Sequence, residues 1–166
     1  MSTLRLQAAT LANVSVISDL AESIWRRHYP AIIGLQQVEY MLEKLYSKQT
    51  LEEQVGEATQ LYFLLVEVGA SNPIGFLSVE IRSENSGFIS KFYVLQIAQR
   101  TGHGSAAFNA LVDKFPSITE FRLQVNRQNI QAINFYFKQG FTIEKTADFD
   151  IGSGYFMNDF IMLWRR

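Results

Sequence analysis

Residues 91–112, KFYVLQIAQRTGHGSAAFNALV, pass from an aromatic, β-branched run through two closely spaced glycines into apolar residues at helical spacing. A strand–loop–helix junction of this kind exposes unpaired N–H groups and the positive end of the helix dipole, which suits a phosphate. Gly102 and Gly104 permit a tight turn and lack the Cβ that would hold a phosphate away. Ser105 offers a hydroxyl donor and Arg100 a charge. A glycine-capped helix entry with no ligand fits the same residues, so the stretch alone leaves both readings open.

Two phosphate cradles are excluded by what surrounds the glycines. A nucleoside triphosphate loop ends in GK[ST], and GHGS has no lysine. GHGSAA matches the dinucleotide pattern G-x-G-x-x-A, which expects an acidic residue at the far end of the next strand. Glu120 starts that strand and Val125-Asn126 ends it, so the acid is at the wrong end.

Outward from the loop the chain alternates strand and helix signals. LRLQA (4–8) reads as a short strand, and Val16, Ile17, Leu20, Ile24 and Trp25 place a helix over 12–28. Val38, Met41, Leu42 and Leu45 give a second helix over 36–46, with a short helical piece near 49–56. LYFLLVEV (61–68) has no solvated face and reads as a central strand. IGFLSVEIR (74–82) returns from the turn GASNP, and FISKFYVL (88–95) follows the turn ENSG. Phe108, Leu111, Val112 and Phe115 keep helical spacing until Pro116. FRLQV (121–125) is a strand, and IQAINFYFKQ (130–139) is a helix ended by Gly140 as a left-handed cap. FTIEKTADFD and YFMNDFIMLW form two last strands joined around GSG (152–154). The order β-α-α-β-β-β-α-β-α-β-β predicts an α/β fold, a mixed central sheet of about six or seven strands with helices on both faces.

The 166 residues carry no repeat or linker and read as a single domain over 1–166. A net charge of -1 speaks against nucleic acid or an anionic membrane as partner. With no cysteine there is no disulfide and no thiolate chemistry, and the chain fits the cytoplasm. The N-terminus shows no signal-peptide pattern, and the apolar runs fall short of the ~20 residues that span a bilayer. His28 and His103 lack metal-site spacing, so no metal is expected.

The loop QRTGHG fits [QR]-x-x-G-x-[GA] and in that respect resembles the pyrophosphate loop of the GNAT acyltransferases, which bind acetyl-coenzyme A. LQVNRQNIQAINFYFKQGF (123–141) resembles the family's second segment, V-x-x-x-N-x-x-A-x-x-F-Y-x-x-x-G-F. The two segments occur in the family's order, and the element order resembles the GNAT fold along the whole chain. The resemblance implies an N-acetyltransferase that moves the acetyl group of acetyl-coenzyme A to a primary amine by direct attack in a ternary complex.

It also implies site residues. Main-chain groups of Phe92, Tyr93 and Val94 would pair with the pantetheine arm. Gln99, Arg100, Thr101, Gly102, His103, Gly104 and Ser105 would form the pyrophosphate loop. Asn126 and Asn129 match asparagines that reach the coenzyme A arm, and Asn129 also reads as a helix N-cap. Tyr136 matches the tyrosine that protonates the departing thiolate, on the helix face it shares with Asn129 and Ile133. His103 is expected to give its amide and leave its ring at the surface, and His28 to sit against a helix C-terminus.

Direct transfer also needs the acceptor ammonium to lose a proton, because an alkyl amine has a reference pKa near 10.4. Glu80, beside the cofactor strand, is the candidate general base and an acceptor contact. Substrate choice by resemblance falls to residues 25–42 and 148–162, with Trp25, Tyr29 and Tyr155 as contacts near Asp148, Asp150 and Asp159. Aromatic faces beside carboxylates suit a cation such as a polyamine. A protein or peptide amine, a non-catalytic acyl-coenzyme A sensor, and an interaction domain that forms a homodimer through its C-terminal edge strands are the rival readings.

Overall fold

The run LYFLLVEV folds as strand β2 (Gln60–Glu67), buried from Tyr62 to Val66, because apolar layers cover both faces of the sheet. The computed structural model describes residues 3–166. Around β2 lie β1 (Leu4–Ala8), β3 (Pro73–Ile81), β4 (Ser86–Val94), β5 (Glu120–Asn126), β6 (Thr142–Gly152) and β7 (Tyr155–Arg165). They form one seven-stranded sheet in the order β1-β2-β3-β4-β5-β7-β6. The mixed α/β sheet expected from the sequence is therefore present, with β4 at its centre and β2 one place in from the edge.

Every neighbouring pair is antiparallel except β4 and β5, which are joined through a helical crossover. The helices are α1 (Val14–His28), α2 (Pro30–Ile33), α3 (Leu35–Tyr46), α4 (Lys48–Gly56), α5 (His103–Lys114) and α6 (Ile130–Lys138). Pro30 ends α1 and begins α2, where its missing N–H is no loss. That short helix was not expected from the sequence.

One apolar layer sets α5 and α6 on the sheet through Phe108, Leu111, Phe121, Ile133, Tyr136 and Phe141. The other sets α1, α3 and α4 on the opposite face through Ile17, Trp25, Val38, Leu51, Leu64 and Phe76. The β4 side chains switch between these layers at a bulge. Ser78 pairs with Lys91 and Val79 with Ile89, so Ser90 is the extra residue. Beyond it Phe92 and Val94 face α5 and α6, while Tyr93 faces α1 and α3. Lys91 is buried on that second side, where its amine donates to Gln54 Oε1 at 2.9 Å and burial lowers its pKa to about 8. Among the described residues no helix is long and apolar enough to cross a membrane.

Candidate active site

The parallel β4–β5 pairing runs from Ser86–Glu120 to Ile89–Leu123 and stops there. The bulge at Ser90 falls at the same point, so β4 bends away and the two strands splay apart. Strand alternation decides which main-chain groups face the gap. Leu95 N–H donates to Ile74 O at 2.8 Å, which turns Leu95 and Tyr93 toward β3 and turns Phe92 and Val94 toward the gap. Of the three residues expected to offer main-chain groups, Tyr93 is therefore committed to β3. It contributes its ring instead, in a cluster with Trp25 and Tyr46. Val94 O already accepts from Gln99 Nε2 at 3.0 Å.

The loop after β4 is wound tightly. Arg100 and Gly102 have φ of 64° and 85°, in the left-handed region. The first α5 main-chain bond from this loop is Ala106 N–H to Gly102 O at 2.9 Å. Among the described residues, the amides of Arg100 through Ser105 have no protein acceptor. They form a cradle of donors at a helix N-terminus, which fits a pyrophosphate.

The two glycines serve different ends. Gly102 supplies the left-handed turn and has open space where a Cβ would go. At Gly104, inside the first turn of α5, a Cβ would stand 2.9 Å from the Phe135 ring. Its small size thus admits α6 against α5, a packing role where close approach of a phosphate was expected. Gln99 Oε1 accepts from Gln131 at 2.9 Å and Ser105 Oγ from Gln139 at 2.9 Å, so α6 is tied to the loop at both points.

Helix α6 begins where Asn129 Oδ1 accepts from Ala132 N–H at 3.3 Å, as an N-cap does. It ends in the left-handed Gly140, with Phe141 N–H reaching back to Tyr136 O at 3.0 Å. This closure fixes the turn that carries Tyr136, whose ring packs on Phe135 and Phe141. Its hydroxyl has no protein partner among the described residues and opens to the cavity. Burial raises its pKa far above the ordinary tyrosine value, with the nearby Tyr29 adding to the effect.

The end of α1 closes the other side. Trp25 and Tyr29, one turn apart, stack with centroids 4.2 Å apart. Tyr29 is pushed up to about 12, chiefly by burial. His28 Nε2 lies 3.1 Å from Asn129 Oδ1. Because that oxygen also accepts the Ala132 amide, the amide orientation of Asn129 is settled and His28 Nε2 must be the donor.

These elements enclose a cavity of about 940 Å³ running from the loop to the β6–β7 hairpin. It brings together Trp25, Tyr29, Phe92, Tyr93, Val94, Gln99, Arg100, Gly102, Gly104, Ser105, Asn126, Asn129 and Tyr136. Four expected residues lie outside it. Thr101 turns its hydroxyl to Ala98 O at 2.6 Å, and His103 braces the loop to β2 with Nε2 2.8 Å from Glu67. Tyr155 packs on Tyr40 with centroids 5.1 Å apart, which holds it in the hairpin.

Glu80 is the fourth, and the correction matters for the mechanism. It pairs with Phe88 at the end of β4 where β4 and β5 are still joined, and its carboxylate lies exposed, 3.6 Å from Arg82. Strand alternation described its face but not its distance from the gap. Glu80→Gln is accordingly expected to leave turnover and its pH profile unchanged, measured as thiol release across the pH range. Sequence reasoning gave no site role to His28, Gln37, Met41, Lys91, Gln124, Lys138 or Met157, which are among the further residues lining the cavity. Asp159, named there only as one of three hairpin acids, is the one that reaches it.

Comparison with known proteins follows this geometry. A family model described as the Acetyltransferase (GNAT) family matches residues 19–141. The chain is 25% identical over 150 residues to a spermidine N(1)-acetyltransferase of Thermoplasma acidophilum, covering 89% of this chain and 93% of that one. Its fold is similar to a PaiA N-acetyltransferase of Thermoplasma acidophilum in complex with coenzyme A, with TM-score 0.79 and 23% identity over 98% and 99% of the two chains. It is equally similar to a GCN5-related N-acetyltransferase from Rhodopseudomonas palustris, with TM-score 0.80 and 16% identity over 100% and 98%.

Proposed function

The chain belongs to the GNAT acetyltransferase family, and we propose that it moves the acetyl group of acetyl-coenzyme A to a small primary amine, with a polyamine as the first candidate. The observation that carries this reading is the continuity of three features in one cavity: the unpartnered amides of residues 100–105, the free edge of β4, and the Tyr136 hydroxyl. The similarity to a spermidine acetyltransferase supports a small-molecule acceptor.

The residues present fit acetyl-coenzyme A. The amides of Arg100 through Ser105 would hold its pyrophosphate, with Arg100 and Lys138 lining the same cavity. Phe92 and Val94 would pair with the pantetheine arm as a neighbouring strand does. Bound acetyl-coenzyme A supplies a thioester already activated for attack. A β4 main-chain N–H in the gap can polarise the carbonyl, as oxyanion donors do. Tyr136 holds its proton throughout the neutral range and can offer it to the departing sulfur. Trp25, Tyr29 and Tyr93 give that part of the cavity an aromatic wall, which would limit water around the reacting atoms.

A screen of acetyl-coenzyme A with polyamines, monoamines, amino acids and peptides, followed by free-thiol release, tests the reading. Turnover with small alkyl amines and little with peptides is expected. Tight coenzyme A binding without turnover of any amine would favour a sensor instead.

A further inference from the structure

Asp159 is 2% exposed, on β7 opposite Asn126 of β5. Its carboxylate accepts one hydrogen bond, from Gln124 Nε2 to Oδ2 at 3.2 Å. Among the described residues it has no ion pair and no partner for Oδ1. The nearest cation, Arg127, is engaged with Asp148 at 2.8 Å. A buried charge is ordinarily paired, because its desolvation is otherwise uncompensated.

The cavity supplies the direction in which that pairing points. Among the described residues Asp159 is the one acidic side chain on its wall, and it lies close enough to Tyr29, at the α1 end, to raise that phenol's pKa. The cations Arg100 and Lys138 lie by the loop and the C-terminal turn of α6, and the third cation on the wall, Lys91, is buried with its amine donating to Gln54. Asp159 thus stands apart from the two cations suited to phosphates, and its own electrostatic neighbours do not include Lys91.

We propose that Asp159 receives the ammonium group of the acceptor and takes up the proton it sheds before attack. This rests on the acetyl-transfer reading above. The nitrogen loses two protons overall. Asp159 takes the first at Oδ1, which frees the lone pair for the new C–N bond, and later passes that proton to solvent. The electron pair of the broken C–S bond goes to sulfur, which gains the second proton. Burial raises the Asp159 pKa, with Asp148 adding to this and Gln124 and Arg127 opposing it, so a carboxyl here is a better proton acceptor than a solvated one. The groups that act on it are Tyr29 just after α1, Gln124 on β5, Arg127 after β5 and Asp148 from β6.

The test uses Asp159→Asn, which keeps the shape and removes the charge. With coenzyme A bound, calorimetry with n-butylamine should show affinity lowered by about 100-fold or more in the variant, with coenzyme A affinity unchanged. The rate defect with n-butylamine should shrink with trifluoroethylamine, which is already unprotonated at neutral pH. Equal n-butylamine binding by wild type and variant overturns the assignment, whatever the rates. So does a defect of the same size for both amines. Should the variant not fold, the wild type itself must bind n-butylammonium at least about tenfold more tightly than 1-butanol. Equal binding of those two overturns the proposal as well. Amine binding that Asp159→Asn abolishes, in a protein with no turnover, would sink the transfer reading and the proton-accepting step with it, and leave only the ammonium site at Asp159 standing.

Discussion

Tyr136→Phe is expected to lower kcat by about 10²–10⁴-fold, the usual worth of a general acid, while coenzyme A affinity and the melting midpoint stay as they are. The ring remains packed between Phe135 and Phe141, so only the proton and its oxygen are lost. Stopped-flow thiol release at saturating amine, with calorimetry for coenzyme A, separates the two quantities. The raised phenol pKa adds a second expectation. The proton stays on Tyr136 to well above the ordinary value near 10, so the wild-type rate should show no alkaline decline from this group up to that pH. The same burial makes complete transfer to a thiolate uphill, since a thiol has a reference pKa near 8.5. Hydrogen-bond donation to the charge developing on sulfur is therefore the larger part of the role. Wild-type turnover in Tyr136→Phe would remove the residue from the mechanism.

Gly75→Ala is expected to be the most disruptive single-methyl change. A Cβ at Gly75 would stand 2.1 Å from Tyr93 O and 3.0 Å from Val94 Cα, both main-chain atoms of β4 that no rotamer change can move. Either β3 and β4 part at their cleft end or the chain loses about 3 kcal/mol, which for this size lowers the melting midpoint by roughly 6–12 °C. Because Val94 faces the gap and Tyr93 lines the cavity, coenzyme A binding should weaken with the fold. Gly56→Ala is the control. It has open space and ordinary backbone, so the change should be neutral or slightly stabilising. Similar midpoints for the two variants would show that β4 can yield, contrary to this account.

Local chemistry made much of the fold legible. Helical spacing located α1, α3, α5 and α6, and the uniform apolarity of 61–68 marked a strand covered on both faces. Gly140 ended α6 as its position implied, because a left-handed cap is a property of a few adjacent residues. The loop was legible for the same reason: its donors are main-chain amides, and glycine spacing is enough to report them. Pro30 was in view, but a helix of four residues leaves too short a period to read.

What failed were statements about distance. Glu80 and Asp159 are both acids on strands next to apolar residues. Sequence alternation treats them alike, yet one is exposed beside Arg82 and the other is buried on the cavity wall. His28 does end α1, as its place in the sequence implied, but its contact with Asn129, 101 positions away, left no local trace. The sequence by itself determined the strand–loop–helix cradle, the second helix with its tyrosine, and the order of elements, since each depends on contacts between near neighbours in the chain. Only the tertiary structure decided which strand edge is free, that Gly104 makes room for Phe135, and which carboxylate lies on the cavity wall. Those depend on the bulge at Ser90 and the splay of β4 from β5, which bring together segments with no local record of one another.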